Sequence, residues 1–283
     1  DVQNILKYAN DHHIPVISRG AGTNMVGACS CPQGGIVLNF SKMNKILNFS
    51  AENMTMTVQP GVVLDNIKRL AEDNGLFYPP DPSNFKVSTI GGSIAQSSGG
   101  AKSFKYGTTK DYILSLTVVL ADGTIMKLGT GNIKDAVGYH LNQLMVGSEG
   151  TLAVIVEAEL KLIPKPAKSY VITAYFDTYD DAVLGVNNII KNQVFPATID
   201  FMDNNSIRTS EQFYPSGLKT DKHALLLIEI DGFESSMQEQ TDKVFNALHS
   251  ANALDIMIYK DNDKKEAIWT TRRSSFASAA KLA

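Results

Sequence analysis

A glycine-containing loop directly after a short apolar run constrains this chain more than any other stretch. Val16 and Ile17 have strand character, and the chain then continues as Arg19-Gly20-Ala21-Gly22-Thr23-Asn24. Glycine adopts positive φ and lets the backbone approach a ligand, so several N–H groups can point into one concavity and bind an anion. Arg19 adds a fixed positive charge. The loop indicates a cradle for the pyrophosphate of a nucleotide cofactor, although one such loop is equally typical of an ordinary tight turn.

Two better-known glycine loops do not fit this stretch. The glycines of a Rossmann fingerprint open a helix, and an acidic residue follows about 20 positions later. Here the loop continues into turn-forming residues as far as Gly35, and Ser41-Lys42 stand where the acid is required. A P-loop requires Gly-Lys-Ser/Thr, and the sequence contains no Gly-Lys pair.

A second glycine-rich system favours the ligand interpretation over the tight turn. Residues 78–107 contain three glycine-bearing segments, and Gly147-Ser148-Glu149-Gly150-Thr151 forms a further one. Long glycine-rich segments without a hydrophobic pattern of their own are uncommon in compact domains unless they hold a ligand. We therefore predict loops in these places and an extended ligand that backbone contacts along much of its length.

The hydrophobic pattern predicts an α+β protein of two domains. Asp122-Gly123 between two apolar runs predicts a β-hairpin. Residues 152–162 alternate between apolar and charged side chains, which is typical of a half-buried strand. The paired prolines of Ile163-Pro164-Lys165-Pro166 mark a boundary, beyond which strands and helices alternate in a ferredoxin-like outline. We predict domains over residues 1–165 and 166–283, and a final helix over residues 263–277.

Charge, cysteine content and the chain ends set further expectations. The net charge of −3 favours neither nucleic acid nor an acidic membrane as a partner, and no apolar run approaches the ~20 residues of a membrane span. Cys29 and Cys31 are expected to be reduced thiols of a cytoplasmic protein, with a metal or redox role as the alternative. Peripheral attachment to a membrane stays open. Because the sequence begins within an amphipathic helix and ends at Ala279-Ala280-Lys281-Leu282-Ala283 without a closing element, we expect truncation at both ends.

Five motifs in order carry a family resemblance. They are Arg-Gly-Ala-Gly-Thr-Asn (19–24), Asp-Pro-Ser (81–83), Thr-Ile-Gly-Gly-Ser-Ile-Ala (89–95), Val-Gly-Ser-Glu-Gly-Thr-Leu (146–152) and Ile-Pro-Lys-Pro (163–166). The chain resembles the FAD-linked oxidases of the vanillyl-alcohol oxidase type, and within them the glycolate oxidase FAD subunits and FAD-dependent D-lactate dehydrogenases. The resemblance implies a PCMH-type FAD-binding domain followed by a substrate or cap domain.

The resemblance also implies which residues surround FAD. Carried over by position, they are Arg19, Gly20, Ala21, Gly22, Thr23, Asn24, Pro80, Asp81, Gly91, Gly92, Ala95, Ser98, Gly99, Gly107, Glu149 and Ile155. Relatives that attach the flavin covalently have histidine at the position of Thr23. Since threonine forms no such bond, we expect FAD to be bound non-covalently.

For the chemistry, the resemblance implies oxidation of a small 2-hydroxy acid such as glycolate or D-lactate. Residues 268–276 resemble a Trp-x-x-Arg-(Lys/Arg)-x-x-Phe segment whose first arginine faces the substrate carboxylate, which makes Arg272 the candidate catalytic residue in preference to Arg273. A guanidinium can bind a carboxylate through two parallel N–H bonds. The alternative is a surface arginine in an exposed ion pair, which is the usual role of arginine on a helix.

The proton acceptor and metal site of such relatives have no counterpart in this sequence. The resemblance places a histidine-rich metal site, with a His-x-Gly-Asp-Gly-Asn pattern, well downstream of the arginine. The five histidines here are scattered without metal-ligand spacing (His12, His13, His140, His223 and His249). We therefore assign neither a metal nor a base to these residues, and expect any divalent metal beyond residue 283.

Three functions stay open at this point. The first is a 2-hydroxy acid dehydrogenase that passes electrons to a separate acceptor, within a homo- or hetero-oligomer. The second is a non-catalytic flavin-binding subunit, against which Trp269 and Arg272 argue. The third is an enolpyruvyl-type FAD reductase, which the likeness beyond Pro166 disfavours.

Overall fold

A computed structural model describes residues 1–281, so the end at Leu282 and Ala283 lies outside the described residues. The chain divides into two compact units. Unit 1 consists of Asp1–Gly100 and Gly107–Lys165, and unit 2 of Ala101–Tyr106 together with the chain from Pro166 onward.

The elements alternate along the chain. The helices are α1 (Val2–Asp11), α2 (Leu64–Asp73), α3 (Ile90–Gln96), α4 (Ser103–Tyr106), α5 (Leu141–Met145), α6 (Tyr179–Lys191), α7 (Asn204–Phe213), α8 (Glu234–His249), α9 (Asn262–Arg273) and α10 (Ser275–Ala280), with a 3₁₀ turn at Thr109–Tyr112. The strands are β1 (Val16–Arg19), β2 (Ile36–Asn39), β3 (Ile46–Ser50), β4 (Thr55–Val58), β5 (Leu76–Phe77), β6 (Ile113–Val119), β7 (Ile125–Leu128), β8 (Val154–Lys161), β9 (Ile163–Pro164), β10 (Lys168–Phe176), β11 (Thr198–Asp203), β12 (Ala224–Gly232) and β13 (Asp255–Tyr259).

Unit 1 is built on an antiparallel sheet in the order β3-β4-β8-β6-β7. The strands β1 and β2, which come earlier in the sequence, form a separate parallel pair. The predicted hairpin is confirmed, because β6 pairs with β7 and the Thr124 amide donates to the Asp122 carboxylate across 2.8 Å. Gly123 has a φ of +83°, which the tight turn requires. Leu64, Ile67 and Ala71 of α2 are fully buried at helical spacing.

Unit 2 is an antiparallel sheet in the order β11-β12-β10-β13, with the first strand of the unit in its interior. Side chains of β12 alternate between the two faces. Leu226 and Ile228 pack with residues of α6 and α8, whereas Leu225 and Leu227 pack with Ile207 of α7 and Trp269 of α9. The α+β, ferredoxin-like prediction is confirmed.

Capping residues begin three of the unit 2 helices. Thr178, Asp203 and Asp261 each accept a hydrogen bond from the amide three residues later, at 3.1, 2.8 and 3.0 Å. Such a cap satisfies a first-turn N–H group that has no intrahelical partner, and replacing it with alanine costs about 1 kcal/mol. The caps fix where α6, α7 and α9 start relative to the sheet.

Two predicted elements are wrong. Residues 78–107 contain α3 and α4 rather than continuous loop, because Ile90 and Ile94 are fully buried one turn apart and their burial outweighs the poor helix propensity of Gly91 and Gly92. The predicted helix over residues 263–277 is two helices, since α9 ends at Arg273 and α10 begins at Ser275.

Candidate functional site

A cleft of about 410 Å³ opens in unit 1 where several predicted residues converge. Gly20, Gly91, Gly92, Ala95 and Ile155 line it, and all five are among the residues that the family resemblance implies around FAD. Ser18, Phe40, Pro60, Gly150 and Ala153 complete the lining and were not predicted. The cleft therefore joins the loop after β1, the first turns of α3 and the start of β8.

Glycine is required at two of the walls because neighbouring atoms approach too closely for a side chain. A Cβ at Gly20 would lie 2.1 Å from Thr89 Oγ1, and a Cβ at Gly91 would lie 2.6 Å from Pro60 Cβ. Real Cβ atoms keep at least about 3 Å from such neighbours. The two glycines thus allow the walls of the cleft to form.

Thr89 contributes a polar atom that the sequence reasoning missed. Its side chain is 5% exposed, and within residues 1–281 its hydroxyl oxygen has no hydrogen-bond partner. The hydroxyl lies 2.1 Å from the Cβ position of Gly20 and 3.5 Å from that of Gly92, two residues of the cleft lining, although Thr89 itself is not among the lining residues. Since buried hydroxyls are almost always hydrogen-bonded, this unsatisfied atom marks an unusual feature directly beside the cleft wall.

The third glycine segment is attached to the end of α3. The Gly147 amide donates to Ile94 O and the Glu149 amide to Ala95 O, each at 2.9 Å. Glu149 and Ser97 have φ values of +53° and +47°, which non-glycine residues adopt only under local strain. These bonds bring Gly150 into the lining, while the Glu149 side chain is exposed.

Within the first loop, several predicted residues hold the loop itself. The Asn24 side chain accepts a hydrogen bond from the Ala28 amide at 2.9 Å and donates to Cys29 Sγ at 3.1 Å. Gly22 has a φ of +72°, and a Cβ there would lie 2.9 Å from the Arg19 Nε. Arg19 therefore lies across Gly22, and its guanidinium stays next to the loop.

In the second loop system, Asp81 is already paired. Its carboxylate lies 3.3 Å from the Nζ of Lys68, whose side chain is 9% exposed and which donates to Tyr78 O at 3.1 Å. A Cβ at Gly100 would contact the Asp81 carbonyl oxygen at 1.9 Å. Asp81 thus shapes the loop and does not line the cleft.

More of the residues predicted to surround FAD lie outside the cleft lining than within it. These are Arg19, Ala21, Gly22, Thr23, Asn24, Pro80, Asp81, Ser98, Gly99, Gly107 and Glu149. For Ser98 the structure shows another use, because its carbonyl oxygen accepts from the amide and the hydroxyl of Thr109 at 3.0 and 2.8 Å.

Two buried tyrosines near these loops remain protonated at neutral pH. Burial, reinforced by Asp111, raises the pKa of Tyr112 to about 12. Burial also raises the pKa of Tyr78, whose ring contacts that of Tyr112 edge-on at 5.9 Å between centroids. Neither phenol can serve as a base at neutral pH.

Arg272 lies in the last turn of α9 in unit 2, where the helix dipole favours a cation. Its Nη2 donates to Asp200 Oδ1 at 3.1 Å, and its Nε lies 2.6 Å from Asp200 Oδ2, an ion-pair distance without hydrogen-bond alignment. Arg273 instead donates to Glu266 of the same helix at 2.6 Å. The two adjacent arginines are therefore held by different elements.

The described residues lack two further features. Across residues 1–281, no group of three or more histidine, cysteine, aspartate or glutamate side chains is arranged to hold a metal ion. Over the same range, none of the helices combines the length and the apolar character that crossing a membrane demands.

Comparisons with known proteins identify the family. Residues 1–129 match the FAD binding domain family, and residues 165–283 match the C-terminal domain of FAD linked oxidases. The chain belongs to the FAD-linked oxidases. Glycolate oxidase subunit GlcD of Bacillus subtilis (strain 168) is 40% identical over 100% of this FAD-linked oxidase chain and 60% of its own length. D-lactate dehydrogenase of Anaerostipes hadrus is 35% identical over 96% of this chain and 58% of its own length.

Solved structures show the same fold. Alkyldihydroxyacetonephosphate synthase has a TM-score of 0.79 at 22% identity, over 99% of this chain and 53% of its own. p-Cresol methylhydroxylase has a TM-score of 0.76 at 18% identity, over 96% and 58%. The chain spans about 60% of the length of the curated relatives named above.

The residues of this FAD-linked oxidase fit its cofactor. The cleft is walled by glycines that admit close approach of a bound group to the backbone, and the unpartnered Thr89 hydroxyl lies beside Gly20 of that wall. Thr89 belongs to the same motif as Gly91 and Gly92, so the sequence carried a signal for it. Its burial and its approach to Gly20, which is far earlier in the chain, depend on tertiary packing.

Proposed function

We propose that this chain provides the FAD-binding and substrate-binding parts of an enzyme that oxidises a small 2-hydroxy acid to the 2-oxo acid. The observation that carries the proposal is the half-buried guanidinium of Arg272, fixed by Asp200 with its Nη1 free of protein partners within residues 1–281. A free guanidinium edge is suited to a carboxylate. The names of the relatives, glycolate oxidase subunit and D-lactate dehydrogenase, support this substrate class.

FAD, when bound, supplies the acceptor for the two electrons and the hydrogen that leave the α-carbon. The chain's own residues bind and orient. Gly20, Gly91, Gly92, Ala95 and Ile155 would contact the cofactor in the cleft. The other residues predicted to surround FAD would act by holding the loops in shape, as the Asp81–Lys68 pair does. Because Thr23 replaces the histidine of covalent relatives, the proposed binding is non-covalent.

Arg272 is the proposed carboxylate clamp. A clamped substrate loses rotational freedom before reaction, and correct orientation contributes to rate without any proton transfer. The proton of the substrate hydroxyl requires a base, and the raised pKa values of Tyr78 and Tyr112 exclude both phenols from that role at neutral pH. We therefore assign the base to neither phenol, and the proposal that the base and any divalent metal lie beyond residue 283 rests on the family resemblance alone.

The remaining partners are proposed from the same comparisons. A relative called a subunit supports assembly with other chains, and a separate electron acceptor is proposed in place of nicotinamide.

Cys29 and Cys31 are both free thiols, which supports a reducing, cytoplasmic location.

Anaerobic flavin reduction tests the proposal. FAD-loaded protein is mixed separately with glycolate, D-lactate, D-2-hydroxyglutarate and NADPH, and loss of the visible flavin absorption is recorded. We expect at least one hydroxy acid to bleach the flavin and NADPH to leave it unchanged. Bleaching by NADPH alone would show an enolpyruvyl-type reductase, and failure to bind FAD would exclude the redox function altogether.

A further inference from the structure

Arg272 and Arg273 provide a comparison within one helix. Arg273 pairs with Glu266, whose side chain is 57% exposed. Arg272 pairs with Asp200 on β11, where the two side chains are 32% and 20% exposed. Of these two arginine pairs, only that of Arg272 connects α9 to the sheet, as the Lys265 Nζ also does by donating to Ser169 O of β10 at 2.9 Å.

The Asp200 carboxylate is itself fixed by the strand that carries it. Its Oδ1 accepts from the Phe201 amide at 3.0 Å as well as from Arg272 Nη2. Asp200 stands opposite Leu227 of β12, so it lies on the sheet face that α7 and α9 cover. The acceptor oxygens therefore have a defined direction before any ligand binds.

Asp200 uses one edge of the guanidinium, formed by Nε and Nη2. Arginine has five N–H donors in a planar fork. The Nε N–H faces Asp200 without hydrogen-bond alignment, so both N–H groups of Nη1 and one of Nη2 remain for a second ligand, and no hydrogen bond within residues 1–281 involves Nη1. These groups lie on the outer edge of the fork, which can receive a second carboxylate through two bonds.

We infer that Asp200 is a positioning residue that holds the guanidinium of Arg272 in the rotation at which this outer edge binds the substrate carboxylate. This inference rests on the proposed clamp function of Arg272. A long side chain that is already ordered loses less freedom when it binds, so affinity rises without a new contact to the ligand. The negative charge of Asp200 repels the substrate carboxylate. The inference therefore requires that the affinity gained by ordering Arg272 exceeds the affinity lost to this repulsion.

The test measures binding of oxalate, a dicarboxylate that has no α-hydrogen to transfer to the flavin, to FAD-loaded protein by titration calorimetry. Asp200→Asn keeps the shape of the side chain but presents an amide group to one donor of the fork. We expect its oxalate dissociation constant to rise at least tenfold. Its FAD content and the midpoint of its unfolding transition, followed by Trp269 fluorescence, should be unchanged. Glu266→Gln, which removes the partner of Arg273, is the matched control and should stay within twofold of wild type.

Arg272→Lys separates the inference from the function on which it rests. We expect this variant to lose at least tenfold in oxalate affinity, and Asp200→Asn to add no further loss in the Arg272→Lys background. Loss in Arg272→Lys together with unchanged or tighter binding in Asp200→Asn would overturn the role of Asp200 and leave the clamp intact. Oxalate binding unaffected by Arg272→Lys, or absent in wild type, would overturn both.

Asp200→Glu keeps the test decisive if Asp200→Asn does not fold. It retains the carboxylate but moves it by one methylene group, so its affinity should lie between those of wild type and Arg272→Lys. Wild-type affinity in this variant would show that the direction of the guanidinium does not matter, which contradicts the inference.

Discussion

At the scale of single residues, Gly20 decides how closely the first loop approaches α3. A methyl group at this position would lie 2.1 Å from Thr89 Oγ1, well inside van der Waals contact. We expect Gly20→Ala to raise the FAD dissociation constant at least tenfold, because either the loop or Thr89 must move out of place. Flavin fluorescence quenching during titration measures the constant.

Thr89 provides the internal control for that prediction. In Thr89→Ala the closest remaining contact of a Gly20 methyl would be with the Cβ at 3.4 Å, an ordinary distance. Gly20→Ala should therefore add little to the FAD dissociation constant in the Thr89→Ala background. Equal losses in both backgrounds would mean that the contact with Thr89 is not the cause.

At the residue scale, sequence motifs indicated several residues that the structure brings to one cleft, while their contact with FAD stays a prediction. Gly20, Gly91 and Gly92 line the cleft, and each stands in a motif whose spacing is local. Ser18, Phe40 and Pro60 lie outside the five motifs, so their convergence on the same cleft depends on the fold and could not be read from the sequence.

At the scale of elements, the segment Ala101–Tyr106 illustrates an organisation that hydrophobic periodicity does not reveal. It belongs to unit 2 although the chain on both sides of it belongs to unit 1. Asp231, with a side chain 3% exposed, accepts from Lys105 Nζ at 2.5 Å and from the Tyr106 hydroxyl at 2.7 Å. Lys102 pairs with Glu229 at 2.7 Å. These contacts join residues about 126 positions apart, and no local pattern predicts them.

Asp231→Asn should destabilise unit 2 by about 2 kcal/mol. Removing one charge of a buried pair costs 3–5 kcal/mol, and the 26% exposure of Lys105 reduces that cost through solvent screening. Urea unfolding followed by the fluorescence of Trp269, the single tryptophan of the chain, measures the change. Glu234→Gln removes the exposed partner of Lys168 at 3.7 Å and should change stability by less than about 0.5 kcal/mol. Equal effects of both substitutions would show that burial of Asp231 is unimportant.

Periodic elements were predictable because their amphipathic pattern is the same physical cause that folds them. The strands of unit 2 alternate between two covered faces, and Ala182 and Ile189 of α6 lie on one buried stripe. The helix α3 has only seven residues and two glycines, so its sequence argues against a helix. The burial of Ile90 and Ile94 overrides that preference.

At the scale of the whole molecule, the glycine-walled cleft belongs to unit 1 and the arginine fork to unit 2. The chain also matches two separate family models, over residues 1–129 and 165–283. Five motifs spread over the sequence predicted the family and the cofactor. The motifs did not predict the ion-pair partners of Asp81 and Arg272, because the fold alone brings the two side chains of such a pair together.

This division predicts a local response to the cofactor. A ligand at one hundred times its dissociation constant stabilises the state that binds it by about 2.7 kcal/mol, or about a hundredfold in the opening equilibrium. Excess FAD should therefore slow amide hydrogen exchange in Ile90–Gln96 and Val154–Lys161, which carry Gly91, Gly92 and Ile155 of the cleft. Mass spectrometry of peptic peptides measures this exchange, with α6 and α8 of unit 2 as internal references. Equal slowing in those two helices would show that the units open as one cooperative body, because protection follows the smallest segment that must unfold for exchange to occur.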